Sequence, residues 1–155
     1  VPKYFPADNE TVLAKISLKD FLLRRRPSFG SAKITKRLGF LLHLGNVCEC
    51  CGLVGDFVFL VSRDHIQYKH KKFVYIKKVY YLVLVGNKNG EWIPMTLDHV
   101  IPLSKMGLSN KKRKKRNSKR VIPTPENAQI LCLECNNLKA NNPKDYRKVE
   151  EQNGP

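Results

Sequence analysis

At 155 residues the chain is long enough for one ordinary domain and too short for two well-buried cores. Lys and Arg number 29 against 13 Asp and Glu, a formal net charge of +16, which makes a polyanion the natural partner and by itself leaves ribosomal proteins, nucleases and membrane-surface binders equally open. No run of about 18 apolar residues is present, as a membrane-spanning helix would need, and the opening Val1-Pro2-Lys3-Tyr4 has no apolar leader core. A soluble, intracellular protein without membrane association is expected, opening on a trimmed end because Val1 stands where a Met would.

In chain order, residues 1–46 read as an N-terminal helical appendage. Ser17-Leu-Lys-Asp20 resembles a capping signal ahead of Phe21-Leu22-Leu23. Pro27 and Gly30 interrupt the pattern, and Ile34–Leu44 suits a short helix ending before the first cysteine pair, with His43 as a half-buried helix histidine. Phe57–Val61 and Lys72–Val85 are rich in β-branched and aromatic residues and read as strands. The cluster Gly86-Asn-Lys-Asn-Gly90 turns the second of these into Glu91–Met95, giving a β-hairpin. Just before and within the second of these strands Lys69, Lys71, Lys72, Lys77 and Lys78 interleave with Tyr68, Phe73, Tyr75, Tyr80 and Tyr81. Two readings stay open for that stretch, a nucleic-acid face or a solvated face opposite a packed one.

Five cysteines stand at Cys48, Cys50, Cys51, Cys132 and Cys135. Two C-x-x-C pairs far apart in an intracellular chain read as a metal site and not as disulfides. Zinc favours a tetrahedron of thiolates, and each pair places two sulfurs on one ion without a long loop to order. Cys48, Cys51, Cys132 and Cys135 are the expected ligands, with Gly52 and Gly55 freeing the backbone around the first pair and Cys50 left to packing. Such a closed site has no position for water or substrate, so its role is structural.

After Thr96 the pair Asp98-His99 sits between apolar neighbours, and a strongly basic run follows within a loop spanning 109–120 (Lys111, Lys112, Arg113, Lys114, Lys115, Arg116, Lys119 and Arg120). Pro123 and Pro125 stiffen the return to Glu126-Asn127, and a short helix is expected to open near Cys132. The tail, 143–155, is polar.

The order C-x-x-C-G at Cys48, D-H-x-x-P-x-S-K at Asp98, and E-N-x-x-x-L-C-x-x-C-N-x-x-K at Glu126 resembles the zinc-containing branch of the HNH endonuclease family, over roughly Val47 to Lys139. The resemblance implies an α+β fold with a ββα-metal core across 47–142, to which the four-cysteine zinc site, the extra hairpin and the N-terminal segment are added. It implies a metal-dependent DNA endonuclease acting on double-stranded DNA. His99 matches the general base, which suits an imidazole neutral near pH 7. Asn127 matches the central asparagine that fastens the loop between the strands. Asp98 and Asn136 match the ligands of one catalytic cation, and their oxygen donors suit Mg²⁺ or Mn²⁺. Lys139 stands at the family's lysine, where a phosphate contact and a solvated lysine are both open. The basic loop is expected on backbone phosphates.

The chain departs from the usual pattern in having Asn136 where a histidine is common and in the long basic insertion; the type it most resembles is a phage or mobile-element nuclease. One such unit cuts one strand, so double-strand cleavage implies a homodimer or two successive nicks. His65 and His70 match no motif position. Two further readings compete: a non-catalytic zinc-stapled nucleic-acid-binding module in which Asp98 and His99 support a turn, and an RNA-binding protein of ribosomal type.

Overall fold

The computed structural model describes residues 5–23, 32–102, 105 and 122–147. Five strands form an antiparallel meander in the order β1-β2-β3-β4-β5: β1 (Glu10–Ser17), β2 (Phe57–Lys69), β3 (Lys72–Lys88), β4 (Glu91–His99) and β5 (Ala128–Cys132). Among the described residues three short helices accompany them, α1 (Leu18–Leu23), α2 (Lys36–Leu44) and α3 (Leu133–Lys139), with a 3-10 turn at Pro125–Asn127. The protein is thus α+β with an antiparallel sheet. No helix among the described residues is long and apolar enough to cross a membrane.

The N-terminal segment corrects the expectation of a purely helical appendage. Glu10–Ser17 pairs with β2 as an edge strand: Ala14 and Ile16 pack against the main core, and a bulge between Val12 and Ala14 turns Val12 to the cluster on the other face, while Thr11, Leu13 and Lys15 are exposed. The capping signal does start a helix: Ser17 Oγ accepts from Asp20 N at 3.2 Å. In α2, Thr35 Oγ1 accepts from Leu38 N at 3.1 Å and the helix stops at Gly45, whose φ of 139° suits glycine. Its buried residues Leu38 and Leu41 join Leu18 and Phe21 in the same core as Val58, Leu84, Leu97, Ile130 and Leu131. His43 is exposed, not half-buried.

A second cluster covers the opposite face of the sheet, where Phe59, Val61 and Val85 are buried with Trp92 against them. The Asn89-Gly90 turn between β3 and β4 has φ of 53° and 84°, the left-handed pair that a two-residue hairpin loop demands. Here β4 changes partner: Glu91–Pro94 pair with β3, and Met95–His99 pair with β5. Pro94 has no N–H to continue the ladder. Beyond it β3 and β4 diverge around a cavity of about 260 Å³, lined by Leu82, Leu84, Met95 and Leu97 and by Leu38 and Leu41 of α2.

Candidate functional site

The first cysteine pair sits on a tight turn. Cys48 N donates to Leu53 O at 2.8 Å, Gly52 N donates to Cys48 O at 2.8 Å, and Gly52 adopts φ of 78°. Gly55 serves by absence of bulk: a Cβ there would lie 2.7 Å from Met95 Cγ, so the turn seats directly on β4. The second pair lies where β5 runs into α3, with Cys132 ending the strand and Cys135 in the helix. A backbone bond from Glu49 N to Ile130 O, 2.9 Å, and a bond from Ile130 N to Glu49 Oε2, 2.7 Å, clamp the turn to β5.

The four sulfurs of Cys48, Cys51, Cys132 and Cys135 lie within 4.8 Å of one another. Cys51 Sγ and Cys132 Sγ are 3.8 Å apart. A metal with four sulfurs at about 2.3 Å has tetrahedron edges of about 3.8 Å, so the group can hold a metal ion. Burial pushes the Cys132 thiol up to about 11 and Cys135 further up. At Cys48 burial also acts upward, but is outweighed by hydrogen bonds from the backbone around Cys132, Cys51 and Cys50, leaving its thiol below the usual range. Cys50 is exposed and not one of the four, so the packing role expected of it is not met, although its side chain lies within hydrogen-bond reach of Cys135.

On the far side of β5 from the sulfurs' turn, β4 and β5 pair with Asp98 opposite Gln129 and His99 opposite Ala128. Their connection is closed by Asn127: its Oδ1 accepts from Ile101 N at 2.8 Å, its Nδ2 donates to Ile101 O at 3.1 Å, and its backbone carbonyl accepts from Val100 N at 2.9 Å. Three bonds from one residue therefore hold the chain just past His99.

His99 Nε2 is a buried side-chain nitrogen with no hydrogen-bond partner among the described residues. Burial is the main cause that lowers the pKa of His99; Asp98 works against it, and Arg37 and Lys139 reinforce it. A neutral imidazole with an available ring nitrogen is a proton acceptor.

Helix α3 packs on β4 and brings Asn136 and Lys139 to the strand face that carries Thr96 and Asp98. Asn136 Nδ2 donates to Thr96 Oγ1 at 2.9 Å, and that hydroxyl donates to Leu131 O at 2.7 Å. With its nitrogen so engaged, the Asn136 amide keeps its oxygen as an acceptor. Lys139 is buried, its side chain 0% exposed, and its Nζ lies 3.0 Å from Asp98 Oδ2 while donating to His99 O at 2.8 Å. The phosphate contact and the solvated lysine weighed for Lys139 both give way to this inward position, since the helix carries the ammonium under the end of β4.

Several residues of the site carry no recognisable signal in the sequence. Gln129 is buried and donates to Asp98 Oδ2 at 3.1 Å and to Lys144 O at 2.9 Å, while its Oε1 accepts from Tyr146 N at 3.0 Å. Residues 143–147 thereby fold back over the site, where a featureless tail was expected, and Arg147 Nη1 reaches Glu126 O at 2.7 Å. Arg37 of α2 donates to the Leu97 carbonyl and stands close enough to Asp98 to feel its charge. The glutamine resembles any strand polar residue until its β-partner is known, and Arg37 lies in another element altogether. Lys111, Lys112, Arg113, Lys114, Lys115, Arg116, Lys119 and Arg120 lie outside the described residues.

No protein-family model, no curated protein and no solved structure matches this chain.

Proposed function

We propose that the chain is a metal-dependent DNA endonuclease of the HNH type, with a structural zinc on Cys48, Cys51, Cys132 and Cys135, and with His99 as the general base. The observation that carries the reading is the unit β4–β5–α3: a strand ending in Asp98-His99, an asparagine that clamps the connection, and a helix that returns Asn136 to the same strand. Motif order along the chain and proximity in space are independent, and here both point to one small site.

Tetrathiolate ligation favours zinc. Hard oxygen donors, the Asp98 carboxylate and the free oxygen of the Asn136 amide, suit Mg²⁺ or Mn²⁺ on one strand face. Such a cation, when bound, supplies Lewis-acid stabilisation of charge on phosphate oxygens. The chain's own residues do the rest. His99, kept neutral by burial, takes the proton of the attacking water through its unpartnered nitrogen. Asn127 fixes the backbone beyond His99 and so the direction of its ring. Gln129 and Lys139 hold Asp98 Oδ2, and Lys139 also holds the His99 carbonyl, so cation ligand and base share a common anchor. The basic loop over 109–120 supplies sequence-independent attraction to the phosphate backbone.

The non-catalytic zinc-stapled nucleic-acid-binding module has one observation in its favour. Asp98 Oδ2 is already met by Lys139 and Gln129, the arrangement of a carboxylate that holds a fold together. Incubating the zinc-loaded protein with supercoiled plasmid at low salt separates the two. The nuclease reading predicts nicked circles only when Mg²⁺ or Mn²⁺ is added; retention of the plasmid without any nicking, at every metal concentration, supports the binding module.

A further inference from the structure

Strands β2 and β3 run well past the sheet that they belong to. β1 accompanies β2 only as far as Arg63, and β4 joins β3 only from Val85 onward. From Asp64 to Val79 the two strands have each other and no further strand on either edge among the described residues, an arm about 20 Å long at the usual rise per residue. A two-stranded ribbon has no core of its own, so what its faces carry is available to a partner.

The register sorts those faces sharply. Ile66 pairs with Tyr75 and Tyr68 with Phe73, which puts four large apolar side chains on one face. On the other, His65 pairs with Lys77, Gln67 with Val74 and Lys69 with Lys72. The apolar face is open: Tyr68 is 63% exposed, Phe73 80% and Tyr75 58%, and the Tyr68 and Phe73 rings lie 5.0 Å apart. From Arg63 to Tyr80 there are six Lys or Arg against one Asp.

We infer that this arm is a binding platform for single-stranded nucleic acid, with bases stacked on Tyr68, Phe73 and Tyr75 and the phosphate backbone attracted by the arm's excess of lysine. The charge decides against the obvious competitor. Two copies meeting through the aromatic faces would bring two strongly cationic arms together, whereas a polyanion neutralises them. The rings decide against a duplex as the arm's occupant, because paired bases hide their π faces in the helix while an unpaired strand presents them. Same-face side chains on a strand recur about every 7 Å, a spacing that extended, unstacked nucleotides can follow. The inference does not require cleavage chemistry: a protein without nuclease activity would bind in the same way.

The test is fluorescence anisotropy in magnesium-free buffer on the full chain, native against Phe73→Ala/Tyr75→Ala. The probes are oligothymidylate and oligouridylate of about 20 nucleotides and a blunt duplex of similar length. Stacking predicts that the double variant loses about tenfold or more in affinity for a single strand and changes by less than about twofold for the duplex. Loss on thymidylate alone assigns the platform to DNA, and equal loss on both assigns it to either nucleic acid. Unchanged single-strand affinity overturns the inference. So does a concentration-dependent dimer of the native chain that the variant abolishes, or capture of the native chain but not the variant by anionic phosphatidylglycerol vesicles with no effect on oligonucleotides. Since the altered rings are exposed, zinc content and the unfolding midpoint serve as controls for folding.

Discussion

Lys139 Nζ lies 3.0 Å from Asp98 Oδ2 and 2.8 Å from the His99 carbonyl oxygen, so one buried ammonium ties the last turn of α3 to both residues at the end of β4. A buried pair of this kind adds little net stability over an apolar replacement, but removal of one partner leaves the other charge buried and alone. Lys139→Met is therefore expected to lower unfolding stability by about 3–5 kcal/mol, and the double variant Lys139→Met/Asp98→Leu to recover much of it. Chemical denaturation of the three proteins checks this. A Lys139 that instead reached out to phosphate would cost little stability when replaced and would weaken DNA binding.

Asn127 acts on the backbone through both ends of its amide, and this makes a graded prediction. Asn127→Asp keeps the acceptor for Ile101 N and loses the donor to Ile101 O; Asn127→Ala loses both. At about 0.5–1.5 kcal/mol per hydrogen bond, the alanine variant is expected to lose about 1–3 kcal/mol, with aspartate between it and the native protein. Nicking rates should fall in the same order while zinc content stays constant. An aspartate variant as impaired as alanine would put the role of Asn127 elsewhere.

The four-sulfur cluster joins the turn at Cys48 to the start of α3. Structural metal sites contribute folding free energy directly. Chelation of the proposed zinc is expected to unfold the region around α3, seen as loss of amide protection over 128–139, and Cys135→Ser to bring zinc content well below a single ion. Retained protection after complete zinc removal would show that packing alone holds the helix.

His99 also predicts a pH dependence of stability. Its folded pKa is lowered, chiefly by burial, from the usual value of about 6.5. The unfolded chain then binds a proton that the folded chain refuses, so the contribution is fully present above pH of about 6.5 and is lost as pH falls through the folded value. Denaturation midpoints for the native protein and His99→Asn should run parallel above that pH. Below it the native midpoint should fall more steeply, because the exposed titrating groups and the thiols are shared by both proteins.

How much of this is legible in the sequence depends on the range of the contacts. The cysteine pairs need only spacing, and the four sulfurs gather as that spacing predicts. The helix before Cys48 and the turn at Asn89-Gly90 are readable because capping and turn chemistry are local. β1 is hidden because the capping signal at Ser17 and the leucines after it mask the alternation at Val12, Ala14 and Ile16. Gln129, Arg37 and the return of residues 143–147 are beyond sequence reasoning: each matters only through a partner on another element, Asp98 for the first two and Gln129 for the last. Lys139 stands out by its place in the motif, but whether a helix lysine faces solvent or core depends on how α3 is rotated against β4.

The most direct measurement is the rate of supercoiled-plasmid nicking by the native chain and by His99→Ala, side by side, at low salt with Mg²⁺ or Mn²⁺ and with zinc content and fold verified for both. The account predicts metal-dependent nicking by the native protein and its loss by about a hundredfold or more in the variant. Equal nicking by both, or none by a folded, zinc-loaded native protein that binds DNA, would contradict it.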